Sequence, residues 1–413
     1  MSKWIPLSEP VIRGNEWLYV KDCLDSGWVS SSGPYVDRFE KKFSEYLNIP
    51  HAVSTVNGTS AIHTALVVLG LRPQDIVLVP SLTFVGTVNP VLYCGATPVL
   101  IDSEPFTFNM DPQRVKDEID HLKKSKKSPK ALIVVHLYGY PADMDSLIDL
   151  CREHNLFLIE DATEALGAEY RGKPVGTLGD MGCFSFNGNK LITTGGGGML
   201  VTRNANYARK ARYLTTQARD DAEEYIHHHV GYNYRLTNLQ AAVGLAQLEE
   251  IEKFLRRKHE IADCYRAGLD GVPGIRFRAS DPGIQDAEWL NCLLVDENLF
   301  GLSNRALRNH LGKLGIQTRL FFCPLHLLPP YQKFRTRRMR VSEELYAAGL
   351  NIPSSVTLSD SDVETVIHHI RQLDKQKSIR QESPTRSQVN LNVVKKASRA
   401  SPPPFPPPSE GEG

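Results

Sequence analysis

The sequence lacks an excess of charge of either sign. Lysine and arginine together number 48, and aspartate and glutamate together number 47. This balance gives the chain no overall electrostatic field that would attract nucleic acid or a membrane surface, so we predict neither as a partner. An anionic ligand would have to be held by a few local groups.

Long hydrophobic runs are also absent. No apolar stretch reaches the roughly 18 residues that a membrane-spanning helix needs, and no apolar segment typical of signal peptides follows Met1. The seven cysteines are scattered, odd in number and without a Cys-x-x-Cys pair. That pattern is typical of reduced thiols and argues against a disulfide framework or a cysteine zinc site. We therefore expect a cytoplasmic protein.

Motifs that would indicate other functions are missing. The glycines at 195–198 lack the Gly-Lys-Ser/Thr ending of a nucleotide-binding P-loop. No Gly-x-Gly-x-x-Gly occurs in the first strand–helix unit, where a dinucleotide-dependent oxidoreductase requires it. His227, His228 and His229 are adjacent, so on a helix their side chains point in different directions. Because no partner cluster has ligand spacing, we predict no metal site.

Segments of strand and helix character alternate between about residues 50 and 205. The predicted strands are Ile76–Val79, Pro98–Ile101, Ala131–Val135 and Leu156–Ile159, and the helices between them include 60–69, 112–122 and 145–153. Such short apolar, β-branched runs are typical of strands that are covered on both faces. Their alternation with helices predicts an α/β fold around a mostly parallel sheet sandwiched by helices.

Composition divides the chain into three parts. Residues 1–250 are predicted to form a large α/β domain and residues 251–375 a smaller C-terminal α+β domain, linked by one long helix over 238–259. Residues 376–413 are rich in serine, basic residues and proline, including Pro402–Pro408. This tail cannot bury enough apolar surface to fold. It is either a dispensable disordered extension or an extended ligand for a proline-binding partner.

Lys190 lies between a short apolar strand and a run of glycines, in Phe-Ser-Phe-Asn-Gly-Asn-Lys-Leu-Ile-Thr-Thr-Gly-Gly-Gly-Gly. Glycine lets the backbone approach a ligand closely. Asp161 follows another predicted strand, at the edge of the sheet where ligands of open α/β folds bind. An amine held near a buried carboxylate is what pyridoxal phosphate chemistry requires. Alone, each residue has a simpler reading: Lys190 as a solvated lysine, and Asp161 as a helix N-cap or a loop carboxylate.

A phosphate site is predicted where Asn57-Gly-Thr-Ser precedes an apolar helix. Gly58 permits close approach, and the hydroxyls of Thr59 and Ser60 can bind a phosphate together with the free N–H groups of the first helical turn. The alternative is that Thr59 or Ser60 only caps the helix. Ser185 can donate its hydroxyl to the same phosphate or remain an ordinary strand serine.

Three more residues each have two readings. Glu164 is either the capping-box partner of Asp161 or a group that faces the cofactor and helps to orient substrate. Phe84 either stacks on a flat heteroaromatic ring or packs in the core. His136 ends a strand, where a hydrogen-bonded structural histidine is favoured over a catalyst.

Together these residues resemble the DegT/DnrJ/StrS-type sugar aminotransferases, which are fold-type I pyridoxal-phosphate enzymes. The likeness covers about residues 4–375. It rests on six ordered motifs, which are Gly27-Trp-Val-Ser-Ser31, Asn57-Gly-Thr-Ser60, Pro80-Ser-Leu-Thr-Phe84, Glu160-Asp-Ala-Thr-Glu164, Cys183-Phe-Ser-Phe-Asn-Gly-Asn-Lys190 and Gly231-Tyr-Asn-Tyr-Arg-Leu-Thr-Asn238.

The resemblance implies a role for each site residue. Lys190 would form the covalent link to pyridoxal 5'-phosphate, Asp161 would pair with the pyridine nitrogen, and Phe84 would lie against the ring. Asn233 would reach the cofactor phosphate of a neighbouring subunit, which implies a homodimer with shared active sites. Arg319 and His326 would contact the nucleotide sugar. The predicted cofactor-binding set is Gly58, Thr59, Ser60, Phe84, Asp161, Glu164, Ser185, Lys190 and Asn233.

The resemblance also implies a reaction. The Asn-Gly-Asn-Lys form and the loop ending at Gln217 are similar to the subgroup that aminates C4 of UDP-linked 4-keto-6-deoxy-N-acetylhexosamines, with glutamate as donor, for bacterial surface glycans such as O-antigen. Gly196 is a departure, because many relatives carry glutamate there. The alternatives are a pyridoxal-dependent sugar dehydratase, in which histidine replaces the lysine, and a regulatory homologue without turnover.

Overall fold

The computed structural model describes residues 4–221 and 223–380. Residues up to Asp374 form one compact unit. The predicted division of this unit into two domains at residue 250 stays a prediction. Most of the predicted tail, residues 381–413, lies outside the described residues.

The described chain contains both helices and strands. The helices are α1 (Glu16–Ser26), α2 (Pro34–Tyr46), α3 (Gly58–Val68), α4 (Asn89–Tyr93), α5 (Pro112–Lys124), α6 (Met144–His154), α7 (Ala205–Thr215), α8 (Asn238–Glu249), α9 (Ile251–Leu269), α10 (Glu297–Phe300), α11 (Asn304–Lys313), α12 (Arg340–Ala348) and α13 (Asp360–Arg380). The strands are β1 (His51–Thr55), β2 (Ile76–Pro80), β3 (Thr97–Ile101), β4 (Pro129–Val135), β5 (Phe157–Asp161), β6 (Glu169–Tyr170), β7 (Lys173–Pro174), β8 (Met181–Ser185), β9 (Gly198–Thr202), β10 (Ile275–Phe277), β11 (Ile284–Gln285), β12 (Asn291–Val295), β13 (Arg319–Leu320) and β14 (Gly349–Ile352).

A central sheet of seven strands organises the fold, in the order β1-β9-β8-β5-β4-β2-β3. The neighbours from β8 to β3 pair in parallel, and only β9 runs against the rest, because it is antiparallel to both β1 and β8. The predicted mostly parallel sheet is therefore confirmed. The four predicted strands correspond to β2, β3, β4 and β5, with ends that differ by one or two residues.

Both faces of this sheet are covered, as the apolar strands require. Along β4, Leu132 and Val134 pack into one hydrophobic core, whereas Ala131 and Ile133 pack into another. Successive side chains of a strand point to opposite faces, so each face has its own core. Residues of α2, α5, α6 and α8 complete the first core, and residues of α3 and α7 complete the second.

A smaller antiparallel sheet, in the order β10-β12-β14-β13, follows the central sheet along the chain. Apolar residues of α9, α11 and α13 pack with this sheet in a separate core. This arrangement is the α+β architecture predicted for the C-terminal part. A third sheet, β11-β6-β7, is short.

The single long helix predicted over 238–259 is wrong. The structure has two helices, α8 and α9, that meet at Glu250, whose backbone (φ −102°, ψ 0°) departs from regular helix geometry. The pattern of burial explains the break. Helix α8 is buried on most sides, whereas α9 has one buried stripe that begins at Ile251. A straight helix could not keep both surfaces in contact with the core.

None of the helices in the described part of the chain combines the length and the apolar character needed to cross a membrane.

Candidate active site

A cavity of about 220 Å³ opens at the carboxyl ends of the central parallel strands. Ligands of open α/β sheets bind at this edge. The lining includes Asn57, Gly58, Thr59, Thr83, Phe84, Thr87, Asp161, Glu164, Ser185, Asn187, Asn189, Lys190, Gly196, Gly197, Trp289, Arg319 and Phe322. The structure thus brings together most of the residues predicted from the sequence.

The pleat of β5 separates two adjacent carboxylates. Glu160 is fully buried and accepts hydrogen bonds from the backbone N–H groups of Gly176, Leu178 and Gly179. Asp161 points to the other face and lines the cavity. The first carboxylate therefore anchors the 176–179 loop, and the second is available to a ligand.

Asp161 is 3% exposed, and hydrogen bonds hold its carboxylate in place. The hydroxyl of Thr87 donates to its Oδ2 at 2.7 Å, and the backbone N–H of Thr163 donates to Oδ1 at 3.2 Å. Thr83 and Thr87 are joined by a hydroxyl–hydroxyl hydrogen bond of 2.9 Å. The carboxylate is thus fixed in orientation. No helix follows Asp161, so the helix-capping reading is wrong.

Lys190 follows the end of β8 in a turn, where its backbone N–H donates to Asn187 O at 2.9 Å. Its Nζ lies 3.7 Å from Glu164 Oε1 and 3.8 Å from the centre of the Trp289 ring. Burial lowers the pKa of the Lys190 amine, while the carboxylates of Glu164 and Asp161 act in the opposite direction. A lysine with a lowered pKa is a better nucleophile, because more of it is uncharged.

Glu164 faces the lysine and not a helix. Its Oε2 accepts a hydrogen bond of 2.8 Å from the backbone N–H of Tyr138, and Oε1 is directed to Lys190. Burial raises the pKa of the Glu164 carboxyl, and the Lys190 ammonium opposes this rise. The capping-box reading is wrong, and the geometry agrees with the reading in which Glu164 faces the ligand.

The predicted phosphate cradle lies at the first turn of α3. The helix begins at Gly58, earlier than predicted, and Asn57 is its N-cap, because its side chain accepts from Ser60 N at 2.7 Å. Neither Thr59 nor Ser60 caps the helix. Thr59 and Ser185 line the cavity, whereas Ser60 is buried behind it.

Glycines provide the close approach of backbone around the cradle. A Cβ atom added to Gly58 would lie 2.9 Å from Ser185 Cβ and 2.9 Å from Thr163 Cγ2. A Cβ atom added to Gly198 would lie 2.5 Å from the carbonyl carbon of Asn57. Gly198 therefore allows β9 to pass beside the start of α3.

The remaining predicted residues fall into two groups. Phe84 is 55% exposed and lines the cavity, so it is not a core phenylalanine. Arg319 also lines the cavity, and its side chain is exposed. His326 does not line it. This histidine is buried, with Nδ1 at 2.7 Å from Ser81 Oγ and Nε2 at 3.0 Å from Glu343 Oε1. Asn233 is exposed and is not among the lining residues.

His136 also has structural partners. His136 is fully buried, with Nε2 at 3.1 Å from Glu160 Oε2 and Nδ1 accepting from Ala142 N. It is a hydrogen-bonded core residue, as expected. Within residues 4–221 and 223–380, no group of three or more His, Cys, Asp or Glu side chains could hold a metal ion.

The lining fits pyridoxal phosphate. A buried amine, an oriented carboxylate, an exposed aromatic ring and a glycine-lined helix N-terminus with two hydroxyls surround one cavity. These groups are suited to an aldehyde, a pyridine nitrogen, a flat ring and a phosphate, respectively.

Sequence reasoning missed several residues of the site, among them Thr87 and Trp289. Thr87 lies three residues after Phe84 on the same loop, so its spacing could have suggested a shared surface. Trp289 lies about one hundred residues after Lys190, and its indole Nε1 donates to Asn189 O at 2.7 Å. No local pattern marks this tryptophan, because only the tertiary fold brings it to the lysine.

The chain is similar to known proteins over most of its length. The family model described as the DegT/DnrJ/EryC1/StrS aminotransferase family matches residues 10–371. A GDP-perosamine synthase of Caulobacter vibrioides is 40% identical over 373 residues, covering 89% of this chain and 98% of the relative. A GDP-perosamine synthase of Vibrio cholerae is 41% identical over 368 residues, with 89% and 98% covered.

Two further similarities concern the cofactor and the fold. A putative pyridoxal phosphate-dependent aminotransferase of Bacillus subtilis, EpsN, is 39% identical over 376 residues, covering 89% of this chain and 96% of the relative. The crystal structure of the aminotransferase TlmJ from Streptoalloteichus hindustanus is 31% identical, with a TM-score of 0.84, and the match covers 91% of this chain and 100% of that chain.

Proposed function

This chain belongs to the DegT/DnrJ/EryC1/StrS aminotransferase family and is a pyridoxal-phosphate-dependent sugar aminotransferase, and from this premise we propose its specific reaction. It transfers the amino group of glutamate to the C4 keto group of a GDP-linked 4-keto-6-deoxy sugar. The aminated sugar is then incorporated into a surface polysaccharide. The observation that carries the proposal is the buried Lys190 amine, which faces Glu164 in the same cavity as Asp161.

The nucleotide is proposed from the relatives. The sequence motifs favoured a UDP-linked N-acetylhexosamine, whereas the relatives from Caulobacter and Vibrio, at 40% and 41% identity, are named GDP-perosamine synthases. We therefore give GDP-linked sugars priority. The UDP-linked sugar stays a prediction and forms the competing arm of the experiment.

When bound, pyridoxal phosphate supplies an aldehyde that bonds amines and a ring that accepts the electron pair left on the substrate carbon. Lys190 would hold the aldehyde through Nζ, and its free amine would move the substrate proton as a general base at the same atom. Its lowered pKa suits both tasks. Asp161, fixed by Thr87, would pair with the pyridine nitrogen and favour its protonated form.

Glu164 adjusts the proton affinity of the lysine. Its carboxylate favours the ammonium form of Lys190, which burial disfavours. Because Tyr138 N fixes one oxygen of Glu164, the other stays directed to Nζ during proton transfer. The two charges are therefore coupled, with Nζ 3.7 Å from Oε1.

A homodimer is part of the proposal. Asn233 is exposed and lies outside the cavity of its own chain, which agrees with the predicted contact to the cofactor phosphate of a second subunit. Asn233 then contributes to the partner's phosphate site, while Gly58, Thr59 and Ser185 hold the phosphate within each chain.

The reaction is tested with a panel of nucleotide-linked sugars. Purified protein with pyridoxal phosphate and glutamate is incubated with GDP-linked and UDP-linked 4-keto-6-deoxy sugars, and the products are identified by mass and NMR. We expect an amino group at C4 of the GDP-linked sugar. Turnover of the UDP-linked acetamido sugar alone would contradict the nucleotide assignment, and turnover of neither would contradict the reaction.

Gly58→Ala is expected to weaken cofactor binding. The added methyl group meets Ser185 and Thr163 at 2.9 Å, and overpacking of this kind costs about 1–3 kcal/mol. The dissociation constant of pyridoxal phosphate, measured by absorbance titration, should rise roughly 10- to 100-fold. Gly312→Ala is the matched control, because no atom lies within 4 Å of the added Cβ. Equal affinities of the two variants would remove Gly58 from the phosphate site.

Arg319→Gln is expected to raise the KM of an anionic substrate. Arg319 and Lys190 are the cationic side chains of the lining, and no described carboxylate forms an ion pair with Arg319. Losing a hydrogen bond to a charged group costs about 1.5–3 kcal/mol, so KM should rise roughly 10- to 100-fold while kcat changes less.

Separate half-reactions identify the substrate that Arg319 contacts. Glutamate alone converts the cofactor, which is followed by absorbance, and the keto sugar is then added to the aminated enzyme. The exposed Arg152 provides the control variant Arg152→Gln. Unchanged KM values for both substrates in Arg319→Gln would contradict a substrate contact.

A further inference from the structure

Lys258 is a buried charged residue that the reaction described above does not use. It lies on α9, is 2% exposed and reaches across to two backbone carbonyls. Its Nζ donates to Trp289 O at 2.8 Å and to Ser354 O. Among the residues that the structure describes, no carboxylate lies within ion-pair distance of it.

A lysine in this place is costly. Burial lowers the pKa of Lys258 to about 7, and an apolar side chain of similar length could fill the space without desolvating an amine. Unlike an apolar side chain, Lys258 donates two directed hydrogen bonds. They connect Trp289, two residues before β12, with Ser354, two residues after β14. These two strands pair at Asn291 and Ile352.

Trp289 links this clamp to the active site. Its carbonyl is held by Lys258, its indole Nε1 donates to Asn189 O at 2.7 Å, and its ring centre is 3.8 Å from Lys190 Nζ. Asn189 O also accepts from Ser8 Oγ at 3.0 Å. Both ends of the tryptophan are therefore fixed, one by Lys258 and the other beside Lys190.

We propose that Lys258 is a positioning residue for the amination reaction, which acts through Trp289 to hold the indole ring against the amine of Lys190. The ring covers Nζ on one side, and Glu164 faces it on another. Without the clamp, the Trp289 carbonyl loses the hydrogen bond from Lys258 that fixes the position of the indole ring. More water then reaches the Lys190 amine. The inference rests on the proposed role of Lys190.

The test uses full-length Lys258→Met, Trp289→Phe and the double variant, with Lys253→Met on the exposed side of the same helix as control. The ionisation of Lys190 is measured on cofactor-free protein by competitive acetylation at several pH values, followed by mass spectrometry of its peptide. Because burial is the main cause of the lowered pKa of Lys190, Lys258→Met should raise that pKa toward the usual value of a lysine, and Lys253→Met should not.

Turnover of the loaded enzyme gives the second readout. Lys258→Met should lower kcat by up to roughly 10²-fold, the size of effect caused by a small misplacement of reacting groups. In the Trp289→Phe background the same substitution should have little further effect on kcat or on the pKa of Lys190. A purely structural lysine would instead lower the unfolding temperature equally in both backgrounds and leave the pKa unchanged.

Each outcome decides the matter. An unchanged or lower pKa of Lys190 in folded Lys258→Met overturns the proposal, as do fully additive effects in the double variant. If Lys258→Met does not fold, Lys258→Leu, which also removes both N–H bonds, is measured in its place. Failure of both to fold makes Lys258 a core residue only and also overturns the proposal. The acetylation readout needs neither cofactor nor substrate. A failure of the Lys258 proposal can therefore be distinguished from a failure of the proposed sugar reaction.

Discussion

Lys190→Ala should abolish transamination. A positioned proton-transfer group contributes roughly 10²- to 10⁴-fold to a rate, and this lysine is also the proposed attachment point of the cofactor. The loss of turnover should therefore exceed about 10⁴-fold. The visible absorbance that the bound cofactor owes to its link with the lysine should disappear at the same time.

The structure explains why no neighbour can replace this amine. Within the cavity lining, the other cationic side chain is Arg319, and its guanidinium does not deprotonate in proteins. The matched control is Lys253→Ala, because Lys253 is exposed and pairs only with Glu250 on its own helix. Near-normal turnover of Lys190→Ala, with folding shown by an unchanged unfolding temperature, would contradict the assignment.

Asp161→Asn should have the second largest effect. The substitution keeps the shape of the side chain but removes the charge that would keep the pyridine nitrogen protonated. Removing one partner of a buried charged pair costs about 3–5 kcal/mol, which corresponds to a loss of roughly 10²- to 10³-fold or more in turnover. The new amide N–H group would also have to face the Thr87 hydroxyl or the Thr163 N–H, both of which donate to the carboxylate.

A control separates charge from folding in this experiment. Asp149 is exposed on α6, and Asp149→Asn removes the same charge from the surface. We expect Asp149→Asn to keep wild-type turnover, while Asp161→Asn binds pyridoxal phosphate and turns over slowly. A wild-type rate in Asp161→Asn would remove the proposed contact with the pyridine nitrogen.

The sequence predicted the part of the fold that local patterns encode. The apolar runs that became β2 to β5 are buried on both faces, and short β-branched runs are the form that such strands take. Lys190, Asp161 and Glu164 could be proposed because each lies beside the end of a strand or a glycine run. At one edge of a parallel sheet, residues far apart in the chain necessarily meet.

Features that depend on tertiary contacts could not be predicted. The break at Glu250 arises from a change of packing partner and not from a proline or glycine. The carbonyl clamp of Lys258 joins positions 31 and 96 residues away along the chain. The sequence motif around His326 suggested a substrate contact, but both ring nitrogens of this histidine are engaged inside the protein.

The most direct test of the central claim locates the covalent bond between protein and cofactor. Full-length protein saturated with pyridoxal phosphate is reduced with borohydride, digested and analysed by mass spectrometry. We predict that the cofactor-derived mass increase falls on the peptide that contains Lys190, and that Lys190→Ala protein shows none. A protein that carries no such mass increase, or carries it on a different lysine, would contradict the account.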